Sequence, residues 1–380
     1  MSDAPFDAFR FAHEHWDEIA WLSQNTNHLG PSRIVQEALA EAVRARHYEG
    51  YPFAPGAPEL RDLVLKDLGF PADAGLQISA GGTEALYMLI RALLGSGDEV
   101  VASDPSYLII HKFVELAGAR TVNLPLYAPP YRMTPDRVNE AITPHTKMIL
   151  LIDPLNPLGS GYPKEDIRAI AEIAKDHKLV LLNDTTYRDF SESHTLAHPF
   201  YPEGTVTVWS VSKNCGLAGI RMGGLLARKE LYDKIWRFNT NDLGVNVFAQ
   251  AAAVAALEEK PKAFPAVVRQ SRENQRRIHE AVQGWKGVSL PVYPSQGNMF
   301  VLDVAEHGVD PEALQKELLL KHGVFLRAGN YLSPGFGKRF IRASFSNVPK
   351  DIDRFLKAFP LALEATSGSS SRLVAPAAGR

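Results

Sequence analysis

The chain has 380 residues, 45% of them apolar, and a formal charge of −2 with both signs interspersed, enough to bury a large core and without the basic stripe that nucleic-acid binding needs. No run nears the roughly 18 consecutive apolar residues of a membrane span, and the acidic start MSDAPFDAFRFAHEHWDE lacks the charged-then-apolar order of a signal peptide, so the expectation is a cytoplasmic protein that binds neither nucleic acid nor membrane. The single cysteine, Cys215, forms no internal disulfide, and no Cys/His cluster has metal-binding spacing, so no metal is expected and hard chemistry falls to an organic cofactor or ordinary side chains.

In chain order, PSRIVQEALAEAVRARHYE predicts a helix from near Ser32, and the Pro/Gly-rich YPFAPGAPELRDLV predicts a loop with a helix from near Pro58. Strand and helix then alternate. LQISA (76–80) leads through Gly81-Gly82 into the helix TEALYMLIRALLG, and DEVVAS into the DPSY loop and a helix. KMILLID (147–153) leads into PLNPLG and the helix KEDIRAIAEIAKDH, KLVLLND (178–184) into TTYRDF, and TVTVWS into SKNCG. Several of these strands are continuously apolar, as expected where helices cover both faces of a parallel sheet. Beyond residue 227 long helical stretches follow, notably KAFPAVVRQSRENQRRIHEAVQGW, then a smaller αβ unit with strands NMFVLDV and RFIRASF around a helix near DPEALQKELLLKHG. The Ser/Ala/Gly-rich end ATSGSSSRLVAPAAGR predicts a disordered tail. The chain thus divides into a segment 1–46 joining the small domain, a large domain 47–285, a small domain 286–364 and a tail 365–380.

Ligands of open parallel sheets bind outside the C-terminal strand ends, so the residues there carry the chemistry. They are Gly81-Gly82-Thr83, Tyr107, Asn156, Asp184 with Tyr187, and Ser210 with Lys213 and Arg221. Two glycines at a helix start let backbone N–H groups approach a phosphate, although Gly-Gly before a helix is more often only a turn. Ser210, Ser212 and Arg221 add hydroxyls and a cation from another strand, and Tyr107 offers a face on which a planar ring can stack, or else packs in the core. Asp184, ending an apolar run, needs a buried partner such as a protonated pyridine nitrogen, unless it caps the next turn. Lys213 is set among small and apolar residues rather than charges, which desolvates its amine and favours the neutral nucleophile. Together these describe a site for an anionic aromatic heterocycle.

SVSKNCGLAGIRMG resembles the lysine motif of the class I/II aminotransferases, the fold type I pyridoxal phosphate (PLP) enzymes, and the similarity runs over most of residues 20–360. YPFAPGAPELR is similar to the family's Tyr…Gly…Glu-Leu-Arg segment, SAGGTEAL to its phosphate loop, DPLNPLG to its Asn-Pro-x-Gly turn and NDTTYRDF to its Asp-x-x-Tyr motif; SQGNMFVLDV and FIRASF resemble small-domain segments, and NTNHLGPSRIVQEAL the N-terminus of the histidinol-phosphate aminotransferase group. The resemblance implies an α/β fold with a large domain around a mixed, mostly parallel seven-stranded sheet plus a smaller α+β domain. It implies ping-pong transfer of an amino group from an α-amino acid to a 2-oxo acid. It further implies that Lys213 forms the Schiff base, Asp184 pairs with the pyridine nitrogen, Asn156 and Tyr187 bond the ring hydroxyl, and Tyr107 stacks on the ring. Gly81, Gly82, Thr83, Ser210 and Arg221 would form the phosphate site, with Tyr51 reaching it from the neighbouring subunit of a homodimer, and Arg342 would clamp the substrate carboxylate with Asn156 and Asn298.

Three positions depart from the pattern. Leu158 stands where a threonine is common, Thr185 where an acidic residue often follows the aspartate, and His28 where the histidinol-phosphate group has proline, which makes His28 a candidate specificity residue or proton donor. A histidine in the N-terminal segment and the stretch Asp184 to Arg188 are also similar to PLP-dependent oxidases acting on arginine, and decarboxylases and lyases share the fold, so these remain alternatives. A ligand-sensing regulator would need a DNA-binding head before the first helix. Trp21, Leu29 and Phe53 suggest an apolar or aromatic substrate side chain.

Overall fold

The computed structural model describes residues 6–30, 33–239 and 241–367. Twelve strands run in chain order: β1 Ala20–Trp21, β2 Gly75–Ser79, β3 Glu99–Asp104, β4 Arg120–Pro125, β5 Thr146–Ile152, β6 Val180–Asp184, β7 Thr205–Ser210, β8 Gly223–Ala227, β9 Met299–Asp303, β10 Val324–Phe325, β11 Arg327–Ala328 and β12 Phe340–Ser344. Seven of them form the main sheet in the order β2-β8-β7-β6-β5-β3-β4. The run from β7 to β4 is parallel, and β8 is antiparallel to both its neighbours. This is the mixed, mostly parallel seven-stranded α/β arrangement expected. Its central strands read apolar on both faces for the reason inferred from sequence: in β5 every residue but Lys147 is buried, because helices lie on either side.

On one face, Leu150, Val206 and Leu225 share a core with the helix Gly82–Leu93. On the opposite face, Leu76, Trp209 and Leu226 meet Leu60 and Val64 of the helix Pro58–Leu68 and Ala249 to Ala256 of a 36-residue helix, Val247–Val282. That helix is about 54 Å long at 1.5 Å per residue, and its far end places Ile278 in a second core with Phe300, Phe355 and Phe359. There β12 pairs antiparallel with β9 and β11. Within the segment 1–46, β1 pairs in parallel with β10, whereas Val35 packs with Leu60 and Ala252. No described helix is long and apolar enough to cross a membrane.

Several elements differ from expectation. A helix at Ala8–Glu14 precedes the one expected first; Asp7 caps it by accepting from the N–H groups of Phe9 and Arg10. The edge strand β4 is mostly exposed, so it lacks the apolar run that marks its neighbours. The expected tail begins within a helix, since Pro349–Ser367 includes residues 365–367 with Thr366 buried; residues 368–380 lie outside the described ones.

Candidate active site

The strand ends converge as anticipated. Gly82, Thr83, Tyr107, Asn156, Asp184, Tyr187, Ser210, Lys213, Arg221 and Arg342 line one cavity of about 440 Å³. Gly81 stands directly behind Arg221: its φ is +88°, and a Cβ there would lie 2.5 Å from Arg221 Nη2, so glycine is needed both for the turn and for the close approach of the guanidinium. The helix Gly82–Leu93 starts at this point. Gly223 serves the same loop, since its Cβ would meet the Gly82 nitrogen at 2.5 Å. Ser210 Oγ donates to Met222 O at 3.2 Å and lies 2.9 Å from Ser212 Oγ, and Arg221 Nη1 donates to Ala218 O at 2.9 Å.

Two groups are held away from their usual protonation. Burial pulls the Lys213 ammonium down to about 7, reinforced by Arg342 and Arg221. Its Nζ donates to Gln24 O at 2.8 Å, an acceptor that carries no charge to offset the desolvation. Burial raises the Asp184 carboxyl, partly opposed by bonds from the Thr186 hydroxyl at 2.6 Å and N–H at 3.0 Å. Both bonds fall on Oδ1, and among the described residues Oδ2 accepts none. Thr185, the departure beside it, donates from Oγ1 to Val208 O at 2.8 Å and so stitches β6 to β7, while Leu158 is buried in the core.

Arg342 is 5% exposed. Its Nη1 donates to Asn156 Oδ1 at 2.7 Å and its Nη2 to Ser23 O, and burial lowers its pKa to about 10. Directly opposite it in the β11–β12 pair stands Arg327, which sequence reasoning did not single out. Its guanidinium carbon lies 4.4 Å from the Phe9 ring centroid and 4.3 Å from that of Tyr331, and it lines the same cavity. Like charges directly opposite one another on a sheet face are destabilising, and among the described residues neither arginine forms an ion pair with a carboxylate. The available signal was an arginine following the short apolar run VFL; its meaning depended on the register against Arg342.

The N-terminal strap also enters the site. Ser23, Gln24 and Asn25 line the cavity, and none was singled out from sequence. Four buried polar atoms around the cavity have no partner among the described residues: Ser23 Oγ, Asn25 Oδ1, Arg327 Nη1 and Arg342 Nε. Such atoms are costly unless a ligand meets them. The donor set fits the cofactor implied by the resemblance, with a cation and hydroxyls at a helix start for a phosphate, a buried carboxylate for a ring cation and a neutral amine for a carbonyl carbon.

Other residues picked from sequence lie elsewhere. His28 does not line the cavity; its Nε2 is 2.6 Å from Thr26 Oγ1, and burial followed by the charge of Lys213 lowers its pKa. Asn298 is buried, donating from Nδ2 to Asn25 O at 3.0 Å. Tyr51 is 81% exposed and lines a separate groove of about 860 Å³ with Phe53, Ile34 and Ala251. Trp21 packs with Phe325, and Trp21, Leu29 and Phe53 are not among the residues that line the cavity.

A family profile for aminotransferase class I and II matches residues 17–359. The chain is 29% identical over 350 residues to a probable aspartate/prephenate aminotransferase of Thermus aquaticus, covering 88% of this chain and 90% of that protein. It is 28% identical to a histidinol-phosphate aminotransferase of Methanosarcina mazei, covering 91% and 88%. In fold it is similar to a crystal structure of an aminotransferase from Mycobacterium tuberculosis, with a TM-score of 0.84 at 23% identity over 96% of this chain and 98% of that one.

Proposed function

This chain belongs to the class I and II aminotransferase family, and we propose that the amino acid it takes as donor is acidic, bearing a second anionic group beside its α-carboxylate. It is a PLP-dependent aminotransferase, passing an amino group from an amino acid to a 2-oxo acid. Bound pyridoxal 5′-phosphate supplies the electron sink that makes the substrate Cα–H acidic.

In this proposal each side chain has one task. Arg221, Ser210, Thr83 and the N–H groups after Gly81 hold the phosphate, at a helix start that favours negative charge. Asp184 Oδ2 holds the protonated ring nitrogen, and that cation removes the cost of the buried carboxylate. Tyr107 covers one ring face, while Asn156 and Tyr187 donate to the ring hydroxyl oxygen. Arg342 clamps the α-carboxylate. Lys213 Nζ, whose pKa burial pulls down to about 7, would take the proton from the substrate Cα as base and hold it at Nζ for return as acid. Tyr51, remote from its own cavity and bordering an exposed apolar groove, supports a homodimer in which it reaches the partner's phosphate. A cytoplasmic location belongs to the same proposal.

The observation that carries the acidic donor is Arg327, opposite Arg342 in the register and with a buried, unpartnered Nη1. A substrate with two anionic groups relieves the repulsion between these cations. The name of one relative, a probable aspartate/prephenate aminotransferase, supports it. The test compares kcat/KM for glutamate and aspartate with leucine and phenylalanine, in wild type and Arg327→Gln. A hydrogen bond to a charged group is worth about 1.5–3 kcal/mol, so the variant loses roughly 10- to 150-fold on the acidic donors and little on the others. Equal loss on both classes, or wild-type preference for the apolar donors, refutes it.

A further inference from the structure

Three consecutive residues of the strap touch the three working parts of the cavity: Ser23 O meets Arg342, Gln24 O meets Lys213, and the Asn25 side chain meets Tyr187 and Asn156. We propose that Asn25 is a positioning residue that dictates the direction in which Tyr187 and Asn156 donate. The inference rests on the reading above, that these two side chains face the cofactor's ring hydroxyl.

The bookkeeping of donors and acceptors is asymmetric. Asn25 Nδ2 lies 2.9 Å from Tyr187 Oη and 3.5 Å from Asn156 Oδ1, and an amide nitrogen only donates. Tyr187 Oη therefore accepts from Asn25, and its own O–H is left for the cavity. Asn156 Oδ1 is likewise taken by Arg342 Nη1 at 2.7 Å, so the Asn156 amide N–H groups are left for the same space. Two donors are thereby fixed toward one point, where an oxyanion on a ring is stabilised. The charged and titratable groups facing Tyr187 are Arg342, Asp184 and Tyr107; among the described residues Asn25 is the one hydrogen-bonded to its hydroxyl.

The backbone of Asn25 is shaped for this task. Its φ is +54°, a left-handed conformation that non-glycine residues adopt uncommonly and asparagine most readily. The residue is 1% exposed, and Oδ1 is buried with no partner among the described residues. A site built only for folding would favour glycine, which satisfies the φ without burying an unpaired acceptor. Asn298 Nδ2 holds the Asn25 carbonyl at 3.0 Å, fixing the strap from below.

Asn25→Gly removes the amide and retains the backbone conformation. The readout is the pH midpoint at which the visible absorption of the lysine-bound cofactor changes in the purified holoenzyme, with thermal melting to show an intact fold. With the donors no longer aimed, the deprotonated form loses support, and the midpoint rises by about one pH unit, the worth of one weakened bond to a charged atom. Asn25→Asp, which keeps the shape and adds an anion, raises it further and carries the test if the glycine variant melts early. Tyr187→Phe supplies the control: it raises the midpoint by itself, and Asn25→Gly then adds little on that background, a coupling a merely structural role would not give. A midpoint moved by Tyr187→Phe but unmoved by both Asn25 variants overturns the inference alone. A midpoint unmoved by Tyr187→Phe overturns the cofactor-facing reading and the inference with it.

Discussion

Replacing Lys213 by methionine is expected to stabilise the protein without cofactor, and by an amount that depends on pH. The amine falls from its ordinary 10.5 to about 7 through burial and the nearby Arg342 and Arg221, an interval of about 3.5 pH units at about 1.4 kcal/mol each. The burden on the apoprotein is therefore up to about 5 kcal/mol at pH 7, reduced to the extent that cavity water solvates the amine. Between the two pKa values the unfolded chain binds the lysine proton and the folded chain does not, so the lysine's contribution to stability rises with pH. Methionine removes that contribution. It also loses the Lys213–Gln24 bond, a nearly constant cost of about 1 kcal/mol. The advantage of Lys213→Met is then greatest at pH 7 and below and shrinks by about 1.4 kcal/mol per unit as pH rises toward 10. Urea denaturation of both apoproteins from pH 6.5 to 9.5 reads this difference, because titrating groups that do not feel Lys213 cancel between the two proteins and His28, whose pKa its charge lowers, enters only near the acidic end. A difference that is flat or grows with pH would refute the claim that Lys213 is held neutral by its surroundings.

Asp184→Asn keeps the shape and removes the charge, so it is expected to lower kcat by roughly 10²- to 10³-fold, the scale of breaking a buried ion pair. The same substitution should raise apoprotein stability at neutral pH. Burial raises the folded pKa of Asp184, which disfavours the charged form, and the penalty sets in as pH climbs above the unfolded value of 3.8; equal apoprotein stabilities at pH 4 and pH 7 relative to wild type would contradict it. For the homodimer, light scattering is expected to give twice the 41.8 kDa chain mass, and Ala251→Arg, placing a charge in the groove beside Tyr51, should shift it toward monomer and weaken cofactor binding. An active monomer in the wild type would rule the dimer out.

Much of this protein was legible in its sequence because the decisive signals are local. A strand buried on both faces has to be continuously apolar, so β5, β6 and β7 announce themselves. The residue just past such a strand stands at the ligand-binding edge by topology alone, which is why Gly82, Asn156, Asp184 and Lys213 were found. β4 escaped notice because an exposed edge strand has no such run, and β8 because it begins with two glycines whose purpose is the close approach of Trp209 O and Gln77 O from the neighbouring strands. The contacts that complete the site join residues far apart in the chain: Ser23 to Arg342, Gln24 to Lys213, Asn25 to Tyr187 and Arg327 to Arg342. None has a periodicity or spacing of its own. Their geometry is fixed only when β1 pairs with β10 and β11 with β12, since strand register, which sets the face of every side chain, is decided by the whole packed core. The sequence alone determined the sheet and the strand-end residues of the cavity; tertiary structure decided its opposite wall, where separate segments had to be brought into register before their charges and amides could meet.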